Sequence, residues 1–229
     1  MRALETALTA TFGALLGWLA GWPLHLGVWT AAVGGLNGAL SGFHRIYPWK
    51  TGPGWAGFVL DSTWGLIGTA GSLLFHLVQL AMPSGRYRAE LSTRRGRHVY
   101  DGGYRIKPGF ATAIGNVITN AGGTAGLDGA GGPRRRLLVD RHEMLHVWQH
   151  RWFGPLFPLL YSAWALVAGL IGVVVAVATR RPVGKSVVTL AYFDNPFEYW
   201  AYRRDRYWPP GGADPGLAWR GSVRDDTIL

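Results

Sequence analysis

Residues Arg141 to His150 read Arg-His-Glu-Met-Leu-His-Val-Trp-Gln-His, which sets His142, Glu143 and His146 in a His-Glu-x-x-His spacing. On a helix, positions i and i+4 lie on one face about one turn apart, so both imidazoles can meet a single Zn²⁺. The carboxylate between them then reaches a water at that ion, which is what a zinc hydrolase needs. His150 shares the face. Eight residues of helix rise about 12 Å, however, while Zn–N bonds are ~2.0 Å, so an unbroken helix cannot bring His150 to the same ion. A third protein ligand has to come from elsewhere, leaving a fourth position for water.

The surrounding chain has the balance of a membrane protein. Of its 229 residues, 16% are charged against a usual ~25%, and 12 are tryptophan. With no cysteine there is no disulfide, no thiolate metal site and no cysteine nucleophile, so a metal must use histidine and carboxylate. The net charge is +10, but the arginines flank apolar segments and no DNA or RNA module is present. The basic balance therefore points to membrane lipid and topology, and not to nucleic acid.

Upstream of the motif, Met1 to Phe43 divides at Gly21-Trp22-Pro23 into two apolar segments, Thr6 to Ala20 and Leu24 to Phe43. They predict a helical hairpin, the first arm short for a bilayer span and the second about long enough. Arg2 answered by Glu5, with no small-x-small cleavage site, reads as a retained segment and not as a secretory signal. Gly13, Gly17 and Gly21, then Gly34, Gly38 and Gly42, recur at every fourth position. Such stripes let helix backbones approach closely and offer a surface for helix–helix association. Trp55 to Met82 predicts one further span, interrupted by Asp61 and His76, whose place at membrane depth or in the interface the sequence leaves open. Short strands are expected at Arg86 to Ser92, Arg97 to Tyr100 and Ala111 to Asn120. Asn120 to Pro133 reads as a flexible loop, and Asp140 as the N-cap of the motif helix.

Downstream, Trp152 to Thr179 is apolar, with Gly154-Pro155 and Pro158 near its start. Asn195-Pro196 then opens a helix that carries Glu198, the only glutamate after Glu143. Glu198 also stands at capping-box spacing from Asn195 and could serve that helix end alone. From Tyr207 onward the chain is rich in proline and glycine and reads as a loose tail.

His142-Glu-x-x-His146-x-x-Gln149, an apolar helix, and then Phe197-Glu-x-x-Ala201-Tyr202 together resemble the gluzincin group of zincin metallopeptidases. The closer likeness is to small bacterial zincins with His-Glu-x-x-His-x-x-Gln, in which a strand with a Gly-Asn pair, here Gly115-Asn116, precedes the motif and can bind an extended peptide. It covers roughly Ala111 to Arg204. The resemblance implies His142, His146 and Glu198 as ligands of Zn²⁺ and Glu143 as general base. Tyr202, or else Tyr199, would be the donor to a developing oxyanion.

The expected fold is a mainly α membrane protein with a small α+β zincin-like portion. Residues 1–83 form its transmembrane helical region, 84–208 the catalytic region including apolar segment 152–179, and 209–229 the tail. If Trp152 to Thr179 crossed the bilayer once, His142 and Glu198 would lie on opposite sides. A re-entrant or in-plane helix, bent near Pro158 or Gly169/Gly172, is therefore predicted. As a straight helix its ~28 residues would reach ~42 Å, short of two crossings of a ~30 Å core. The basic runs Arg86 to Arg97, Arg134 to Arg151 and Arg180 to Lys185 would share one side, set by the positive-inside rule as the cytoplasmic face of a bacterial plasma membrane. The activity expected is hydrolysis of a peptide bond in a peptide or protein near the bilayer surface. A non-catalytic membrane scaffold is the alternative, and a lipid-linked substrate would use the same atoms.

Overall fold

The computed structural model describes residues 1–107, 109–219 and 221–224. The protein is mainly helical, and its chain divides into two compact units, Met1–Pro155 and Leu156–Leu229. Two helices among the described residues, Arg2–Leu24 and Leu156–Thr179, are long and apolar enough to cross a membrane.

In the first unit, helices α1 (Arg2–Gly21) and α2 (Gly27–His44) form the expected hairpin, turned by a short 3₁₀ segment at Trp22–Leu24. The glycine stripes face each other inside this hairpin. A methyl group at Gly13, Gly17, Gly34 or Gly38 would run into backbone of the opposite arm, so their lack of a side chain is what brings the helices together. Thr9 donates across the seam to Gly38 O at 2.7 Å.

The span expected at Trp55 to Met82 is instead two helices, α3 (Gly52–Ser62) and α4 (Leu66–Leu80), bent by 86° at the break between them. Thr63 leaves helical geometry there, and Thr69 of α4 donates to Asp61 O at 2.6 Å, fixing the corner. The sequence between Arg86 and Ser92 forms a helical turn, α5 (Ala89–Ser92), where a strand was expected. Strand β1 (His98–Val99) falls as predicted. The run from Ala111 to Asn120 is not one strand but a hairpin, β2 (Thr112–Ile114) and β3 (Val117–Thr119). Gly115 and Asn116 are its turn, with Gly115 at φ 54° where glycine is favoured. The sheet order is β1-β3-β2, with β1 parallel and β2 antiparallel to β3.

The glycine-rich stretch after Asn120 is pinned, contrary to the expectation of a flexible loop. Leu127 is buried in the core, and the Arg135 guanidinium donates to the carbonyls of Gly109, Asn120 and Ala121 at 2.7–3.0 Å. A loop with few side chains is held here through its carbonyls. The motif helix also begins earlier than expected. Helix α6 (Gly132–Leu138) runs through a π-helical turn at Val139–Glu143 into α7 (Met144–Phe153). Asp140 is thus interior to the helix, paired with Arg95 and Arg97, and not its N-cap. Arg97 also donates to Val139 O at 3.0 Å, and a donor reaching into the helical ladder is one cause of such a wide turn. Val139, Met144 and Val147 pack with Leu91, Val99 and Ile118, seating the motif helix on the sheet.

In the second unit, α8 (Leu156–Thr179) is one uninterrupted helix of 24 residues. The predicted bends do not occur. Pro158 lies in the first turn, where the missing N–H has no helical partner to lose. Gly172 instead receives a returning arm, Val187 lying against it, and Gly169 faces Ala191. That arm is α9 (Val183–Val188) continued by a π-helical turn at Thr189–Phe193, entered at Arg180 in the left-handed conformation. The chain therefore comes back toward the start of α8 before α10 (Pro196–Asp205) begins, and Trp164 donates to Leu190 O at 3.1 Å. Within this unit the reversal is a helical hairpin where a bent helix was expected. It also separates Arg180 and Arg181 from the Glu198 end of this unit by about 27 Å of helix, at 1.5 Å for each residue from Tyr161.

The tail is not loose within the described residues. β4 (Tyr207–Trp208) pairs with β5 (Val223–Arg224), Trp208 is fully buried, and Trp219 N donates to Asp194 at 2.9 Å. Asp214 accepts from Arg181 at 3.1 Å and donates its N–H to Thr189 at 2.9 Å. Residues 225–229 lie outside the described part.

Candidate metal centre

The first unit supplies the histidines. His142 and Glu143 stand on the π-helical turn and His146 one turn later on α7; all three are buried. The Nε2 atoms of His142 and His146 lie 3.2 Å apart. Two nitrogens bound at ~2.0–2.1 Å in a tetrahedral site stand about 3.3 Å apart, so the pair already has the bite of a shared ion. His146 Nδ1–H donates to Gln149 Oε1 at 2.7 Å, which in the neutral ring leaves the lone pair on Nε2. Gln149, part of the motif likeness, thus orients a ligand.

The motif helix is anchored one residue beyond His150 by Arg151. Its guanidinium meets Asp61 in a two-pronged pair, Nε to Oδ1 at 2.8 Å and a terminal nitrogen to Oδ2 at 2.7 Å, with both side chains buried. Tyr47 and Asn116 donate to the same carboxylate at 2.9 and 3.2 Å, and Arg151 also donates to Gly96 O at 2.6 Å. Asp61 is therefore structural: it ties α3 to the helix that carries the histidines. Asn116, in the turn likened to a peptide-binding strand, is fully buried in this network and also donates to Asn37 at 2.9 Å. His150 is occupied elsewhere, near Ala113 of β2, and burial with the charge of His146 pushes its pKa down to about 3. His76 bonds Tyr100 at 2.7 Å.

The second unit supplies the carboxylate. Glu198 lies in the first turn of α10 and is buried. Its Oε1 accepts from the Tyr161 hydroxyl at 2.9 Å. The capping-box reading does not hold, because the Asn195 N–H that Glu198 would have to reach donates to Tyr192 O at 3.0 Å. Asn195 caps the helix by itself, accepting from Phe197 N at 3.1 Å. Tyr202 is buried beside Phe193 and Trp208, with ring centroids 6.2 and 5.7 Å away, and Tyr199 packs edge-on against Trp208 at 5.1 Å. Tyr161 escaped sequence reasoning because it sits inside an apolar run, where a lone hydroxyl carries no spacing signal.

His142, His146 and Glu198 are a buried group that could hold a metal ion: each offers one ligand atom, and these atoms all lie within 4.8 Å of one another. No family model, curated protein or solved structure matches the chain. The likeness to gluzincins therefore rests on the residues quoted for it, and the short strands and helices around them do not by themselves show a zincin fold.

Proposed function

We propose that the protein is a membrane-embedded zinc metallopeptidase that hydrolyses a peptide bond near the bilayer surface. The observation that supports this most is the 3.2 Å separation of the His142 and His146 Nε2 atoms, with a Glu198 oxygen in the same buried group. Two lone pairs that close repel unless a proton or cation lies between them. His142, His146 and Glu198 would hold zinc, which supplies Lewis-acid polarisation of a carbonyl and acidification of water. Gln149 keeps the His146 lone pair directed at the site, and Tyr161 fixes one oxygen of Glu198. Glu143, buried on the turn between the two histidines, takes the proton from the attacking water at a carboxylate oxygen and returns it to the leaving amine. Tyr202 is the donor proposed for the oxyanion, a role separable from ring packing in Tyr202→Phe.

The deciding experiment measures metal content and peptide hydrolysis on the purified full chain. About one zinc per chain is expected, lost in His142→Ala, whereas Glu143→Gln keeps the metal and loses turnover. Metal-free protein would remove the ligand assignment. Hydrolysis undiminished in Glu143→Gln would remove Glu143 as the general base, whereas no hydrolysis by the metal-loaded parent would leave the scaffold reading.

A further inference from the structure

An apolar groove of about 550 Å³ runs along α1, walled on its other side by α3 and the Trp49 loop. Leu8, Phe12 and Leu15 face Trp55, Phe58 and Val59 across it. The volume is that of a small-molecule site, about 300–1,000 Å³.

The polar side chains in its wall are already satisfied. The single Thr9 hydroxyl proton is shared between Glu5 O and Gly38 O, both 2.7 Å away, and Trp55 Nε1 donates to Trp49 O at 2.9 Å. The Glu5 carboxylate accepts from Trp49 at 2.7 Å, Arg94 at 2.7 Å and Arg45 at 3.2 Å. A ligand lying in the groove finds hydrocarbon to bury against and no unmet side-chain hydrogen bond, which selects an alkyl chain over a polar solute.

The Glu5 end is different. Two guanidiniums share one carboxylate there, leaving one positive charge in excess, and the Arg45 and Arg94 side chains are 39% and 32% exposed. Guanidinium donors fit phosphate oxygens. Trp49 and Trp55 stand at the same end, their rings 4.9 Å apart, as aromatic side chains do at a membrane–water boundary. From Leu4 to Leu16 the groove follows about 18 Å of helix, close to the ~15 Å depth of one leaflet.

We propose that this groove binds one acyl chain of an anionic phospholipid, with the phosphate at Arg45 and Arg94. The site is independent of the metal centre, and His142→Ala protein should bind the lipid as the parent does.

The test is native mass spectrometry of the full chain in detergent micelles, titrated with phosphatidylglycerol or with phosphatidylcholine of the same acyl chains. One phosphatidylglycerol per chain is expected, bound at least about tenfold more tightly than phosphatidylcholine, the size of a charged hydrogen bond. Val59→Trp, which fills the groove from an exposed position, should lose both lipids; Leu8→Trp fills it from the opposite wall and stands in if the first variant unfolds by circular dichroism. Arg45→Gln should keep lipid binding and lose the preference for the anionic headgroup. Equal affinity for the two lipids in the parent protein, no retained lipid, or undiminished phosphatidylglycerol binding in a folded groove-filling variant would overturn the proposal.

Discussion

The two units hold their parts of the candidate centre by different chemistry. In the first, the helix bearing His142 and His146 is fixed by a buried ion pair, Arg151 with Asp61, whose remaining lone pairs are taken by Tyr47 and Asn116. In the second, the bonds around Glu198 and its helix start include the Tyr161 hydroxyl and the Asn195 cap, both neutral donors or acceptors. An ion pair taken from water is costly to assemble and more costly to halve, whereas a neutral hydrogen bond such as the Asn195 cap contributes about 0.5–1.5 kcal/mol and one to a carboxylate, as from Tyr161 to Glu198, about 1.5–3 kcal/mol. The Arg151–Asp61 pair thus tolerates the loss of neither partner, whereas the bonds from Tyr161 and at Asn195 can each be removed at smaller cost.

The largest expected effect follows from halving the pair. Arg151→Met leaves the Asp61 carboxylate buried without its counter-ion, and about 3–5 kcal/mol of stability should be lost. Denaturant unfolding of the intact protein in micelles measures it. Asp61→Leu combined with Arg151→Met should lose less than Arg151→Met alone, because no charge is stranded. A double variant as unstable as the sum of the two single ones would mean that the pair acts through packing, and the contrast between the units would fall.

Next come the residues that aim the ligands. Tyr161→Phe removes the hydroxyl from Glu198 and should weaken metal binding roughly 10–100-fold. Gln149→Leu should fall at the lower end of that range, since Arg151 and the packing of Val139 and Val147 still hold the helix. Competition titrations with a metal chelator read both. Equal losses would show that the anchoring of α7 does not buffer its ligands, and that the two units are equally tolerant.

These sensitivities explain what the sequence disclosed. The helical hairpin, the motif helix, strand β1 and the Asn195-capped helix were legible because each is written in local spacing: glycine every fourth residue, histidine at i and i+4, asparagine before proline. The Arg151–Asp61 pair joins positions 90 apart, and the Arg135 staple reaches back 14 to 26 residues to carbonyls that have no side-chain signature. Neither is visible in any window. The corner at Thr63 was hidden because Trp55 to Met82 keeps one apolar composition through it. Gly169 and Gly172 misled differently. A glycine in an apolar helix marks either a bend or a close neighbour, and only the returning arm decides between them.

The smallest effect concerns acid. All seven histidines precede residue 156, so acid sensitivity from histidine belongs to the first unit. His98 is fully buried between Ser41 at 3.3 Å and Tyr87 at 3.0 Å, and burial, then the charges of His76, His44 and Arg151, hold its pKa well below the ordinary value. In the unfolded chain the same ring takes a proton near ~6.5, so below that pH the unfolded state binds more protons and gains on the folded one. The His98 contribution is complete above pH ~6.5 and is lost as pH falls, at about 1.4 kcal/mol per pH unit until the folded ring also protonates. His98→Gln keeps a donor and an acceptor for Ser41 and Tyr87 but cannot titrate. Its stability curve should therefore be flatter than the parent's below pH ~6.5 by that slope. Parallel curves from unfolding measured across the acid range below that pH would mean that His98 takes up its proton equally in the folded and unfolded states, and acid sensitivity would have to be sought among the other histidines of the same unit.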